Sequence, residues 1–193
     1  GKIVNIALDS AQSKINFNKD FSVSNDLAAS GQTKKELGDA YGMRRGSAIG
    51  KEWHEQVVAL EKWMIGKTVA EVKAMKVKVK DAAHPAVPDV PELTSSVTMT
   101  VQDYIAAVEK AWDNAAPVKA GGEKLGLGHE VSIAKSKPAA AQVDTSVAAA
   151  LFDKDGKVVG VAIDAIQSKV PFDTKTAKVT ADRKAEIKSK KEL

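Results

Sequence analysis

The chain has 193 residues, of which 44% are hydrophobic and 28% charged, so one large domain or two small ones can bury a core. Its 29 basic and 25 acidic side chains give a formal charge of +4, too small and too evenly spread for a nucleic-acid partner, which needs a concentrated basic face. Because cysteine is absent, disulfide scaffolds, thiolate metal sites and cysteine nucleophiles are excluded.

The chain carries two copies of one sequence module. Residues 1–17 read GKIVNIALDSAQSKINF and residues 156–172 read GKVVGVAIDAIQSKVPF, with nine identities in 17 positions. The KKEL of residues 34–37 returns at 190–193 after a one-residue shift. Such self-similarity organises the whole chain. We predict a module at 1–119 that lacks its first strand, a linker at 120–141, and the N-terminal part of a second module at 142–193.

The middle of the first module is predicted to be helical. Five apolar residues recur every three or four positions on one helix face, which is predicted to end near Gly66: Ile49, Trp53, Val57, Leu60 and Met64. Thr68 and Glu71 form a capping box for a short helix that runs through Met75.

A third helix is predicted after a proline-rich stretch. Thr100 is its expected N-cap, because a hydroxyl in that place accepts from the first free amides of a helix. Its expected apolar stripe consists of Val101, Ile105, Val108 and Trp112.

The second module is predicted to begin with a β-hairpin. Apolar runs at 147–152 and 157–163 flank a polar turn that ends at Gly156. Lys157 and Val158 stand where a calcium loop needs its ligand and its glycine, so a turn is the better interpretation. Strands grouped apart from helices favour an α+β fold, with an antiparallel sheet packed with helices. We also expect residues 142–172 to help complete a sheet that residues 1–17 cannot finish alone.

A hydroxyl-rich segment, ELTSSVT at residues 92–98, precedes the third helix. It has four hydroxyls in five positions, so it suits a phosphate held by free amides at the positive end of a helix. A Ser/Thr-rich turn that merely caps the helix explains the same residues. Arg44 and Arg45 likewise fit either a phosphate contact or a solvated approach to a helix.

The same segment resembles the flavinylation motif of the FMN-binding domain family. Glu92 stands at the acidic position, Ser95 and Ser96 at the small hydroxyl and small positions, Val97 at the usual alanine and Thr98 at the acceptor threonine. The resemblance implies that a flavin transferase links FMN to Thr98 through a phosphoester. It also implies cofactor contacts from Glu92, Thr94, Ser95, Ser96 and Val97, with Tyr41 and Met43 packing on the isoalloxazine ring.

The wider chain resembles tandem flavinylated lipoproteins of Gram-positive bacteria. The features are the hairpin, the QSK segment, the KKELGDAYGM stretch before a tryptophan-containing helix, and the hydroxyl-rich motif. The resemblance implies an extracellular carrier, anchored to the bacterial membrane by a lipid outside this chain. Such a carrier takes electrons from membrane quinone and NADH dehydrogenase components and passes them to acceptors such as ferric iron. It is a redox carrier rather than a classical enzyme, although FMN could support ferric reductase-type activity.

A second hypothesis needs no cofactor. In it, the chain is a tandem surface module for binding or adhesion, and the ELTSSVT turn only caps a helix. Colour and the mass of the Thr98 peptide distinguish the two hypotheses. No metal site is predicted, because the histidines have no partners at metal-ligand spacing.

Overall fold

A computed structural model describes residues 1–118 and 121–193, which divide into two compact units. The helical unit comprises Gly1–Ser10 and Lys34–Ala120, and the sheet unit comprises Ala11–Thr33 and Gly121–Leu193. Each unit therefore combines a short segment of the first sequence copy with a longer stretch from later in the chain.

The helical unit is built around one amphipathic helix, α2. Its elements are α1 (Lys34–Leu37), a 3-10 helix (Gly38–Tyr41), α2 (Trp53–Met64), α3 (Val69–Lys73), β2 (Val77–Lys78), β3 (Val87–Pro88) and α4 (Gln102–Asp113). The predicted apolar stripe of α2 is confirmed, because Trp53, Val57, Leu60 and Met64 are all buried. Ile49 lies outside the helix, since Gly50 has a φ of +61°, which is incompatible with a right-handed helix, and α2 begins only at Trp53.

The predicted helix starts are confirmed at α3 and wrong at α4. The Thr68 hydroxyl accepts from the Glu71 amide, and a Glu71 carboxylate oxygen accepts from the Thr68 amide. The N-cap of α4 is Val101 rather than Thr100. Val101 is fully buried and its amide donates to the Ala86 carbonyl, so core packing sets this helix start in place of a hydroxyl cap.

The sheet unit contains one four-stranded antiparallel sheet. Its strands β1 (Ser30–Gly31), β4 (Lys124–Ser132), β5 (Ala140–Phe152) and β6 (Val158–Pro171) follow one another in that order. The predicted hairpin is confirmed as β5–β6. Its turn has Gly156 at φ +81°, and the Asp153 carboxylate accepts from the amides of Asp155 and Lys157. The α+β class with an antiparallel sheet is therefore confirmed.

About half of the stretch predicted as a linker, 120–141, lies in β-strands. Strand β4 occupies Lys124–Ser132 and pairs along its full length with β5. Gly126 and Gly128 lie opposite Ala150 and Ala148 in this ladder. Small residues face small residues here, so pairing with β5 permits a strand where glycines by themselves disfavour one. Residues 119–120 lie outside the described part of the chain.

Within the chain, the prediction that residues 142–172 complete a sheet that residues 1–17 cannot finish alone is wrong; completion by a neighbouring molecule stays a prediction. Residues 1–17, all of them described, make isolated bridges at Ala11 and Phe17 but no ladder. The partner of β4 is instead the short strand Ser30–Gly31. The first residues bond within the helical unit, where the amide of Ile3 donates to the Lys67 carbonyl at 2.8 Å.

The sequence repeat is also a structural repeat. In each copy the same three backbone contacts recur at matching positions. They are the bridges Ala11–Thr33 and Ile166–Ser189, the bridges Phe17–Val23 and Phe172–Val179, and the bonds from the Lys34 amide to Ser10 O and from the Lys190 amide to Ala165 O. The one-residue shift seen in the sequence is preserved in all three pairs, so the two copies share these local backbone contacts, although only the second copy forms a long strand.

Acid is expected to weaken the sheet unit through Asp144. The hydrogen bond from the Gln167 side chain, together with Lys135 and Gln142, holds the pKa of Asp144 below its usual value of 3.8. A depressed pKa gives a stabilisation that is present above the unfolded-state pKa and is lost as the pH falls through the folded-state pKa. Urea unfolding, followed by circular dichroism at a series of pH values from neutral downward, should therefore show that the free energy of unfolding falls with pH. This fall should be smaller in Asp144→Asn than in the parent protein. The exposed Asp155→Asn controls for removal of one charge, and equal acid slopes in all three proteins would contradict the prediction.

Candidate functional site

The ELTSSVT segment lies on the surface of the helical unit, and buried apolar residues within it and directly after it anchor its backbone. Leu93, Val97 and Met99 are buried in its core. Glu92, Thr94 and Ser95 are exposed, while Ser96 and Thr98 are half-buried. The apolar anchors therefore fix the backbone of the segment, and its hydroxyls point outward or lie at the boundary.

Thr98 is held by its backbone to a buried glutamine of α2. Its amide donates to Oε1 of Gln56 at 2.8 Å, whereas its hydroxyl lies 3.5 Å from the same oxygen, a long distance for an O–H···O bond. Gln56 is fully buried, and its Nε2 donates to Ser47 Oγ and to the Lys51 carbonyl, each at 3.2 Å. The amide side chain is thus satisfied at both ends and locks the Thr98 backbone to α2.

Three backbone amides of the hydroxyl-rich segment are not free to bind a phosphate. The amides of Ser96 and Val97 both donate to the Leu93 carbonyl, and that of Thr98 donates to Gln56. Helix α4 begins only at Gln102. These three amides therefore stabilise the protein itself, and Thr98 offers an anion its side chain rather than its amide.

Tyr41 and Met43 lie in a turn that is tied to the start of α2. Both side chains are half-buried and pack against the helical core. The amides of Met43 and Arg44 each donate at 2.8 Å to the carboxylate of Glu52, which is only 2% exposed. Because Gln56 lies one turn further along, the first two turns of α2 anchor both sequence-predicted segments.

Aromatic side chains cluster around Trp53 of α2. Its indole N–H donates to the Tyr104 hydroxyl at 3.0 Å, and the two ring centroids are 6.0 Å apart. The Lys34 ammonium lies 4.9 Å from the centroid of Tyr41 and 5.4 Å from that of Trp53. A cation over two aromatic faces is a favourable arrangement, and it places a positive charge beside polarizable rings.

Arg44 is engaged by acidic side chains. Its guanidinium lies 3.1 Å from Glu55 and 3.3 Å from Asp39, and also donates to the Gly50 carbonyl. These contacts favour the interpretation of Arg44 as a solvated approach to α2 over a phosphate contact. In the described part of the chain, no group of three acidic or histidine side chains is arranged to hold a metal ion.

Sequence reasoning missed Gln56, Glu52 and Tyr104. Gln56 and Glu52 lie on the buried side of a helix start that is otherwise apolar, and a polar residue on such a face needs a hydrogen-bond partner. That signal was readable in the sequence. The partners, 42 residues away for Gln56 and 8–9 residues away for Glu52, were not.

The Thr100 hydroxyl is expected to contribute no stability. It is buried and has no hydrogen-bond partner among the described residues, because Val101 rather than Thr100 caps α4. Thr100→Val keeps the side-chain shape and removes an unsatisfied polar group, so the free energy of unfolding should stay unchanged or rise by about 1 kcal/mol. Chemical denaturation measures this change. A clear loss of stability in Thr100→Val would show that the hydroxyl has a partner after all.

Across the described residues, no helix combines the length and apolar character needed to cross a bilayer. No family model matches the chain, and neither does any solved structure. Over 51 residues the chain is 53% identical to a protein of Desulfitobacterium hafniense described as a chlorophenol reductase. The matched segment covers 26% of this chain and 16% of that protein, so the similarity is local.

Proposed function

We propose that the helical unit is an FMN-binding module that carries FMN in a phosphoester linkage on Thr98. The chain would then be part of a tandem flavoprotein that works as an electron carrier rather than as a classical enzyme. Bound FMN supplies electron acceptance and release, while the protein supplies position and environment.

The observation that carries this proposal is the way in which Thr98 is held. Its backbone is fixed by buried Gln56 at 2.8 Å, and its neighbours Val97 and Met99 are buried, yet Thr98 itself is half-exposed. Among the residues that the structure describes, its hydroxyl has one contact, at 3.5 Å with Gln56 Oε1, and caps no helix. An acceptor for a bulky phosphoester needs such a reachable hydroxyl on a rigid backbone, so the residues present fit the group.

The surroundings of α2 offer suitable contacts for an aromatic cofactor. Tyr41 and Met43 are half-buried, so part of each side chain remains available to pack on a ring system. Lys34 contributes a positive charge beside Tyr41 and Trp53, which favours negative charge on a nearby cofactor. Exposed Glu92, Thr94 and Ser95, with half-buried Ser96, are available for recognition by the transferase that matures the protein.

The proposed cellular role follows the family resemblance. The carrier is an extracellular lipoprotein of the bacterial surface that takes electrons from membrane quinone and NADH dehydrogenase components and delivers them to acceptors such as ferric iron. The local similarity to a protein described as a reductase is compatible with redox work and favours no particular reaction.

Co-production with a flavin transferase tests the proposal. We expect a yellow protein whose colour survives denaturation, and a Thr98 peptide heavier by one FMN less one water. The same protein made without the transferase is the colourless control. An unmodified Thr98 peptide from the co-produced protein, beside a second flavoprotein that the same transferase does modify, would favour the cofactor-free binding module instead.

A further inference from the structure

Strand β6 presents an apolar surface that stays largely exposed in the described part of the chain. Val158, Val161 and Ile163 are 57%, 60% and 60% exposed, although they belong to the strand with the longest ladder in the chain. We call these three side chains the β6 surface. Three large exposed aliphatic residues in six positions are unusual for a strand and indicate a missing partner.

The first copy shows what covers the equivalent residues. In the alignment of the repeats, Val158, Val161 and Ile163 correspond to Ile3, Ile6 and Leu8. In the helical unit, Leu8 belongs to the same buried core as Leu60 and Met64 of α2. Ile3 and Ile6 are partly buried and pack against this core. The same module positions are therefore covered by a helical layer in one copy and exposed in the other.

The backbone repeats this contrast. In the first copy, the Leu8 amide donates to Glu61 Oε1 at 2.6 Å, and Ile3 exchanges hydrogen bonds with the turn after α2, donating to Lys67 O and accepting from the Gly66 amide. In the second copy, the Ala165 carbonyl points away from β5, since it accepts from the Lys190 amide. Because strand residues alternate, Ile163 also directs its amide to this outer edge.

The second copy also repeats the lysine that pairs with Glu61 in the first copy. Glu61 bonds the Leu8 amide and also pairs with the Lys35 ammonium at 2.6 Å. The repeat places Lys191 at the position of Lys35, and the Lys191 amide bonds to Asp164 as the Lys35 amide bonds to Asp9. The edge that carries the β6 surface therefore has an amide and a lysine placed for one carboxylate on a helix.

We propose that the β6 surface binds a further helical layer of the kind formed by residues 38–118. Its central helix would bury an apolar stripe on Val158, Val161 and Ile163, and a carboxylate at the position of Glu61 would bond the Ile163 amide and Lys191. Residues 38–118 of this chain already cover Ile3, Ile6 and Leu8, so the occupant is a separate copy of that layer.

A duplication within the protein tests this proposal. Residues 38–118 are appended directly after Leu193, which keeps the repeat register because 190–193 match 34–37. We expect the amides of Val161 and Ile163 to exchange with deuterium roughly tenfold or more slowly than in the 193-residue chain. Ile163→Lys in the extended chain should restore fast exchange. Val170→Lys, on the same strand but outside the β6 surface, is the matched control and should not.

Thiol labelling gives a second readout that does not depend on a disruptive variant. Because the chain has no cysteine, Ile163→Cys introduces a single reactive thiol, and Val170→Cys is its control. Labelling at position 163 should slow in the extended chain, and labelling at position 170 should not. Unchanged exchange and unchanged labelling would overturn the proposal. A 193-residue chain that is dimeric until Ile163→Lys separates it would also overturn it, in favour of a second copy of this chain as the occupant.

Discussion

Thr98→Ala should abolish covalent flavin attachment while changing the free energy of unfolding by less than about 1 kcal/mol. The variant removes the only atom that can carry the phosphoester at this position. It leaves in place the 2.8 Å hydrogen bond from the residue 98 amide to Gln56, which fixes the backbone of the segment to α2. The lost hydroxyl contact, at 3.5 Å, is too long to contribute much. Peptide mass and absorbance after denaturation measure attachment, and urea unfolding measures stability.

Two neighbouring variants make this result specific. Thr98→Ser keeps a hydroxyl at the acceptor position and should retain attachment, although at a lower yield. Thr94→Ala removes an exposed hydroxyl that donates to the Pro91 carbonyl. It should lower the yield of attachment without abolishing it, because Thr94 is one of the residues available to the transferase, and it should leave stability near that of the parent protein. Flavin that remains covalently bound to this module in Thr98→Ala would rule out Thr98 as the acceptor.

Gln56→Ala should have the largest effect on stability, lowering the free energy of unfolding by roughly 2–4 kcal/mol. The side chain is fully buried and makes three hydrogen bonds, to the Thr98 amide, Ser47 Oγ and Lys51 O. Its loss leaves a buried amide without a partner and opens a cavity beside the core. In the fraction that stays folded, flavin attachment should also fall, because the acceptor backbone is no longer held to α2.

A near-isosteric variant separates packing from hydrogen bonding at this position. Gln56→Glu retains an acceptor for the Thr98 amide but loses both donations and buries a charge, so it should also be strongly destabilising. Gln102→Ala, at an exposed position of α4, is the matched control and should cost little. If Gln56→Ala unfolds at the same denaturant concentration as the parent protein, the buried glutamine is not what fixes the motif.

Together, Thr98→Ala and Gln56→Ala distinguish the residue that carries the flavin from the residue that holds its backbone in place. Thr98→Ala should lose flavin without losing stability, whereas Gln56→Ala should lose stability first and attachment as a consequence. If both variants lose flavin and stability in proportion, the Thr98 hydroxyl has a structural role that its long contact with Gln56 does not suggest.

Sequence alone determined the features that depend on neighbours along the chain. The apolar stripe of α2, the capping box of Thr68 and Glu71, the β5–β6 hairpin with its glycine turn, and the repeat itself all follow from local periodicity or local backbone preference. The segment of Glu92 to Thr98 was also recognisable, because its hydroxyls are adjacent in sequence. For such features, the interactions that stabilise the structure span only a few residues.

Tertiary structure decided the rest, because the deciding contacts join residues far apart in sequence. Gln56 bonds Thr98 across 42 positions, the Val101 amide reaches Ala86 and displaces Thr100 as the cap, and β4 becomes a strand only because β5 pairs with it. The same holds for the two copies of the module. Ile3 and Leu8 are covered while Val158 and Ile163 are exposed, although their sequences are alike, since burial depends on which distant elements pack against each copy.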